Sequence, residues 1–115
     1  MMKKDTFMYD EDLDRLMIFS DLKDDEKVYG SVNMLNLVLD ITNKNRIANL
    51  EFRNISDYLI SLDKNTDILK NLDSAKIVIQ QVRGGFLMNI ILISQNKTEK
   101  IPYPIATEEK ITITS

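Results

Sequence analysis

The segment MYDEDLDRLMIF, residues 8–19, fits two different structures, and the choice between them decides the fold. Its acids Asp10, Asp12 and Asp14 occupy alternate positions between apolar flanks. A calcium loop of the EF-hand type would lie between helices, and it would need Gly at its sixth position and Glu at its twelfth. The chain has Arg15 and Asp21 at those places. The sequence therefore predicts an acidic turn between two strands.

The flanks of this turn, residues 6–9 and 15–19, read as short strands, because Leu16 and Ile18 alternate with other residues on one face. Asp side chains suit such a turn because they accept hydrogen bonds from neighbouring backbone N–H groups. A looser cation site at Asp10, Asp12 and Asp14 is the alternative, extended in one version by Asp24 and Asp25. An acidic Ca²⁺-binding module is therefore the second functional hypothesis.

The composition excludes several chemistries. The chain of 115 residues has no His, Cys or Trp, which removes disulfides, zinc sites of Cys and His, and nucleophile systems that depend on histidine. Catalysis would need carboxylates, Lys, Tyr or an oxygen-bound metal, so we expect a non-enzymatic protein without a cofactor. Asp40 and Glu51 are a weak candidate pair for a Mg²⁺-dependent hydrolase, although exposed ion pairs explain them more simply.

The charge pattern limits the partners. Residues 1–30 hold nine acids and five bases, and the other residues hold nine acids and ten bases. Nucleic-acid binding depends on clustered Lys and Arg, and this chain has no basic stripe. The apolar run Ile90–Ile93 is too short to span a bilayer, and no signal peptide is recognised at Met1. We expect a cytoplasmic protein that binds neither nucleic acid nor membrane.

Alternation continues in the middle of the chain. Residues 32–41 place Leu35, Leu37, Leu39 and Ile41 on one face, and residues 46–53 place Ala48, Leu50 and Phe52 on one face. The turn Thr42–Asn45 joins the two segments, and its Asn residues can adopt positive φ. The pattern predicts a β-hairpin.

The period then changes to that of a helix. Ile55, Leu59 and Leu62 are spaced for one helical face, which predicts a short helix over about 56–62 with Asn54 or Ser56 as its cap. Thr66 is the predicted cap of a second short helical turn.

Strand character returns after residue 72. Residues 76–83 and 86–94 form a predicted hairpin around Gly84-Gly85, which suits a type I′ turn. Pro102 and Pro104 predict an edge strand or a loop, and residues 110–115 alternate like a final strand. The fold class is α+β: one domain, residues 1–115, with a mostly antiparallel sheet, one packed helix and, as an option, a second β layer from residues 74–115.

The run Ile90–Ile93 is apolar on both faces of its strand. Such a strand is covered on both sides, either by a second sheet layer or by another subunit. Because most oligomers are two-fold homodimers, the leading hypothesis is a protein-interaction or structural module that acts as a homodimer through this strand and the edge near residues 101–105.

Residues 8–58 resemble a group of small prokaryotic domains of unknown function. Tyr9-Asp10, Asp14, Leu16 and Ile18 match the opening of that pattern, and a strand ending in Asp40 followed by Arg46-Ile47, Leu50-Glu51 and Ile55-Ser56 matches its second part. Asn45 and Asn49 stand where that group usually has Gly. The resemblance implies a compact β-hairpin unit closed by a helix, and it implies no activity.

Overall fold

The computed structural model describes residues 6–95 and 97–106. These residues form eight strands, one α-helix and one 3₁₀ helix. The elements in chain order are β1 Thr6–Asp10, β2 Arg15–Phe19, β3 Val28–Asn33, β4 Leu37–Thr42, β5 Ile47–Arg53, α1 Ile55–Ser61, the 3₁₀ helix Thr66–Asn71, β6 Ser74–Val82, β7 Gly85–Ser94 and β8 Lys97–Ala106. The predicted strand over residues 110–115 lies outside the described residues.

The strands form two antiparallel sheets. The first has five strands in the order β1-β2-β5-β4-β3, and the second has three strands in the order β6-β7-β8. β1 pairs with β2 across the acidic turn, from Thr6 opposite Phe19 to Asp10 opposite Arg15. The opening segment is therefore a β-hairpin, as predicted. The fold is mostly β, so the α+β class was too helical, although the single short α-helix is present.

Residues 74–106 form a separate sheet and do not extend the first one. The inner faces of both sheets nevertheless contribute to one buried cluster, which includes Leu50 and Phe52 from β5 and Met88 and Ile90 from β7. Helix α1 adds Leu59 to this cluster. One apolar core thus covers a face of each sheet, which is the arrangement that layered β proteins use.

The prediction of one strand over residues 32–41 was wrong. The chain reverses after β3, where the backbone groups of Met34 and Leu37 hydrogen-bond to each other in both directions. Leu35 lies at the tip of this turn and is 93% exposed, whereas Leu37, Leu39 and Ile41 are buried as predicted. The apolar alternation continued through a turn that lacks Gly and Pro, so the pattern did not reveal the reversal.

The second hairpin is present with a different turn. Val82 pairs with Gly85, so the two turn residues are Arg83 and Gly84 and not the two glycines. Gly84 has φ of 82° and Arg83 is not among the residues with positive φ, which does not fit the predicted type I′ turn. Between β4 and β5, Asn45 does adopt positive φ, at 60°, as the sequence predicts.

The helix starts agree only in part with the predicted caps. Asn54 is the N-cap of α1, but its side chain makes no capping hydrogen bond. Asn65, and not Thr66, caps the 3₁₀ helix by accepting from the backbone N–H of Asp67 at 2.8 Å. Asn is a favourable N-cap residue, but the neighbouring Thr66 is also a good capping residue, so the sequence did not single out Asn65.

Helix α1 connects the two sheets through an aromatic cluster. The ring centroids of Phe52, Tyr58 and Tyr103 lie 5.2–5.4 Å from one another, a range typical of favourable aromatic pairs. The hydroxyl of Tyr58 donates to the backbone carbonyl of Pro102 in β8. Burial, followed by the nearby Tyr103, raises the pKa of Tyr58. The cluster therefore joins β5, α1 and β8 at one place.

Candidate interaction surface

The three acids of the opening segment have different roles. Asp10 accepts a hydrogen bond from the backbone N–H of Leu13 at 3.1 Å, within its own turn. Asp12 is exposed in the same turn. Asp14 points to α1, where it accepts from the backbone N–H of Ser56 at 3.1 Å and from the Ser56 hydroxyl at 2.7 Å. The structure therefore uses Asp14 to cap a helix that is distant in sequence.

Tyr9 completes this contact between the first hairpin and the helix. Its hydroxyl donates to Asp14 at 2.7 Å and lies 3.4 Å from the Ser56 hydroxyl. Burial is the largest cause of a raised pKa at Tyr9. The backbone carbonyl of Asp14 also accepts from the N–H of Ile55 at 3.3 Å. Tyr9, Asp14 and Ser56, which the sequence pattern singles out, thus meet at the start of α1 and perform a structural task.

Asp40 and Glu51 lie on the same outer face of the five-stranded sheet but have separate partners. The register places Asp40 opposite Asn49 and Glu51 opposite Val38. Asp40 accepts from Ser31 at 2.6 Å and from Asn49 at 3.0 Å. Glu51 pairs with Arg15 at 3.2 Å and with Arg53 at 3.0 Å. Each carboxylate is already satisfied, so nothing in this arrangement favours the hydrolase hypothesis.

The acidic loop before β3 contains an anchor that the sequence patterns did not reveal. The side chain of Glu26 is fully buried and pairs with Arg46 at 2.6 Å. It also accepts from Thr42 at 2.8 Å and from the backbone N–H of Lys23 at 3.0 Å. The Lys23 N–H bond is the largest cause of a lowered pKa at Glu26. Glu26 therefore fixes the loop to the β4–β5 turn.

The neighbouring acids Asp24 and Asp25 are exposed on this loop. Asp25 forms an ion pair with Lys44 at 3.2 Å. The hydrogen bond and the charge of Lys44 lower the pKa of Asp25. Within residues 6–95 and 97–106, no group of three or more Asp and Glu side chains is placed to hold a metal ion. The calcium hypothesis thus has no structural observation in its favour.

The outer face of the three-stranded sheet is different. Its central strand β7 directs Leu87, Asn89, Ile91 and Ile93 to that face, because the residues between them are directed to the core. We call the apolar residues of this face the outer patch. It consists of Val78, Val82, Leu87, Ile91, Ile93, Pro102 and Pro104. Val78 and Val82 are 42% and 45% exposed.

Asn89 lies in the middle of the outer patch. It pairs with Val78 on one side and with Pro102 on the other. Asn89 is only 4% exposed, and its side chain makes no hydrogen bond to any residue that the structure describes. Among the described side chains, Arg15 Nε is the buried polar atom that has neither solvent contact nor a partner. The amide atoms of Asn89 are not in that state. Because they have no partner either, they must keep some contact with solvent. An amide in this state is incompletely satisfied.

A shallow groove lies beside Asn89. The groove has a volume of about 430 Å³ and is lined by Leu62, Lys64, Leu87, Asn89, Lys100 and Pro102. Leu62 and Lys64 follow the end of α1, so the groove lies between that segment and the outer patch. Its apolar members are Leu62, Leu87 and Pro102, and its polar members are Asn89 and the two lysines.

Part of this surface was visible in the sequence. The apolar run Ile90–Ile93 correctly indicated a strand with apolar side chains on both faces. Ile90 and Leu92 are buried in the core, whereas Ile91 and Ile93 are half-buried on the outer patch. Asn89 was not recognised, since one Asn among ten does not stand out. Its central register position could be known only after the pairing of β6, β7 and β8.

No helix in the described part of the chain is long and apolar enough to cross a membrane. No family model, curated protein or solved structure matches the chain.

Proposed function

We propose that this protein is a non-enzymatic, cytoplasmic interaction module that acts as a homodimer, with the outer patch as its contact face. The observation that carries the proposal is the outward face of β7, where Leu87, Ile91 and Ile93 are apolar and half-buried and no further sheet packs on them among the described residues. Contiguous apolar surface of this kind commonly marks a protein contact. A second copy of the chain is the proposed occupant.

The size of the face supports a dimer of modest affinity. Strands of 9 and 10 residues at about 3.3 Å per residue, set about 4.8 Å apart, give a face of roughly 450 Å². Two such faces would bury about 900 Å², or somewhat more with interlocking side chains, near the lower limit of about 1,000 Å² for a specific interface. We therefore expect a dissociation constant in the micromolar range.

The distribution of polar groups also supports contact through this face. Lys76 and Lys100 lie on either side of Ile91, on the two edge strands β6 and β8. Long lysine stems can cover apolar surface while their charged heads stay in water. The two lysines thus place charged groups on the edge strands beside the apolar residues of β7, and a polar rim is common in protein interfaces.

Contact through the β8 edge is less favourable. The Pro102 carbonyl is occupied by Tyr58, and because the N and O of one residue point to the same side of an antiparallel strand, Pro102 and Pro104 both remove donors from the free edge. Proline and a covering segment are known ways to protect a sheet edge. Of the two regions that the sequence suggested, we therefore propose the β7 face.

Sedimentation velocity of the wild type and two matched variants tests the proposal. Ile91→Asp should weaken self-association by about 100-fold or more, because an unpaired carboxylate in a buried contact costs several kcal/mol. Val38→Asp, a half-buried position on the outer face of the five-stranded sheet, should leave the association unchanged. A wild type that stays monomeric up to millimolar concentration contradicts the proposal, and so does equal weakening by both variants.

A further inference from the structure

Asn89 provides a more specific inference about the proposed dimer. We infer, on the basis of the proposed function, that the two-fold axis of the dimer passes beside Asn89 and that the side-chain amide of each copy hydrogen-bonds to the same amide of the second copy. The partner of Asn89 is therefore a second copy of this chain, and Asn89 fixes how the two copies align.

The first support is the unmet hydrogen-bonding capacity of Asn89. The residue is 4% exposed and has no side-chain partner in residues 6–95 and 97–106. An amide offers an oxygen that accepts and an NH₂ that donates. Covering this face with a purely apolar partner would leave both groups unsatisfied at a cost in free energy. A suitable partner must therefore bring a donor and an acceptor to this point.

The second support is symmetry. A two-fold interface joins a surface to itself, so a residue on the axis meets its own copy. An amide satisfies this condition because its donor and its acceptor exchange under the rotation, whereas a carboxylate or an ammonium group would meet a like charge. Asn89 is also central in the sheet, between Val78 and Pro102, as an axis through the middle of the patch requires.

The third support is length. Two sheets that pack face to face lie about 10 Å apart. An Asn side chain extends roughly 3.5 Å from its Cα, so two facing amides would lie about 3 Å apart, which is hydrogen-bonding distance. A single polar pair inside an apolar contact is a known way to specify alignment. Leu87 and Ile91 on the same strand then supply the apolar area around the pair.

A charge-complementation experiment tests the inference. Asn89→Asp and Asn89→Lys should each self-associate about 100-fold more weakly than the wild type, because like charges would face each other in a desolvated contact. An equal mixture of the two variants should associate at least about tenfold more tightly than either variant alone, because opposite charges then meet. Sedimentation velocity and calorimetric titration of one variant into the other measure both effects.

The matched control uses the neighbour of Asn89 in the same row of the sheet. Val78→Asp and Val78→Lys should show no such preference for the mixture, because Val78 lies off the axis and faces a different residue. Circular dichroism checks that each variant folds. If the Asn89 variants do not fold, intermolecular NOEs from the Asn89 NH₂ protons of labelled wild type to unlabelled wild type provide the test.

The outcomes separate the two proposals. A monomeric wild type overturns both. A wild-type dimer that Ile91→Asp dissociates, but in which the Asn89 mixture associates no better than the single variants, overturns the role of Asn89 and leaves the proposed dimer in place. The absence of NOEs between Asn89 side chains in a dimeric wild type has the same meaning. Preference for the mixture at Asn89, without preference at Val78, supports the inference.

Discussion

The outer faces of the two sheets differ in how their polar groups are satisfied. On the five-stranded sheet, Glu51 pairs with Arg15 and Arg53, and Asp40 accepts from Ser31 and Asn49. On the three-stranded sheet, the central strand presents apolar side chains and one amide that has no side-chain partner among the described residues. On the first face the two carboxylates are satisfied within one chain, although Arg15 Nε has no partner among the described residues. On the second face the central amide has none.

This difference explains why the acidic residues were a poor guide to the candidate interaction surface. The acids attract attention in the sequence because carboxylates can bind metals and transfer protons. In the structure, Asp14, Glu26 and Asp40 each have a hydrogen-bonding partner in the chain, and a carboxylate so engaged is a structural group. In our proposal the less conspicuous residues, Asn89 and its apolar neighbours, form the contact.

Both sheets cover one core, and their outer faces therefore belong to one folding unit. Phe52→Ala should have the largest effect of the variants considered and tests whether the two sheets unfold together. Phe52 is fully buried and its ring contacts Tyr58 and Tyr103. Loss of the ring should lower the free energy of unfolding by about 3–5 kcal/mol. Hydrogen exchange should show that amides of β7 lose protection together with those of β5. Unchanged protection in β7 would mean that the sheets unfold as separate units.

The sequence predicted the strands well where alternation and turn residues agreed. The first hairpin, the strand 46–53 and the hairpin around Gly84 have clear periods and turn residues, and the structure contains all of them. The boundary between β3 and β4 was missed because Leu35 continued the apolar alternation while lying at an exposed turn. Local pattern thus defines single elements, and it fails where apolar alternation continues through a turn that lacks Gly and Pro.

The candidate site was harder to predict because it depends on pairing between strands. The apolar character of residues 90–93 was visible, but the outer patch also includes Val78 and Pro102, which are brought beside Asn89 only by the register. The capping of α1 by Asp14 is a similar case, since 42 residues separate Asp14 from Ser56. Contacts that are distant in sequence leave no periodic signal.

Asp14→Ala should show that the acidic turn is structural. The variant removes the acceptor of the Ser56 N–H and of the hydroxyls of Tyr9 and Ser56. We expect the free energy of unfolding to fall by about 2 kcal/mol, from the loss of a helix cap and of a hydrogen-bonded charged group. Urea unfolding measures this change, and Asp12→Ala is the control, expected to change it by less than about 0.5 kcal/mol.

The same two variants also address calcium. A cation that binds the folded state and is present at a concentration 100 times its Kd would stabilise the fold by about 2.7 kcal/mol. We expect millimolar Ca²⁺ to produce no shift in the melting temperature of the wild type. A clear shift that disappears in Asp12→Ala would show that the acidic turn binds a ligand. The five-stranded sheet would then also carry an interaction site, and the contrast between the two sheets would be lost.

Glu51→Gln should have the smallest effect and sharpens the contrast between the faces. Glu51 and Arg15 are 25% and 31% exposed in their side chains, so water screens their attraction and the ion pairs contribute little. We expect the free energy of unfolding to change by less than about 1 kcal/mol, as measured by urea unfolding at low and high salt. Self-association in sedimentation should be unchanged. Because Gln keeps the shape of Glu51 and removes its charge, weaker association in this variant would place the contact on the polar face and contradict the role of the outer patch.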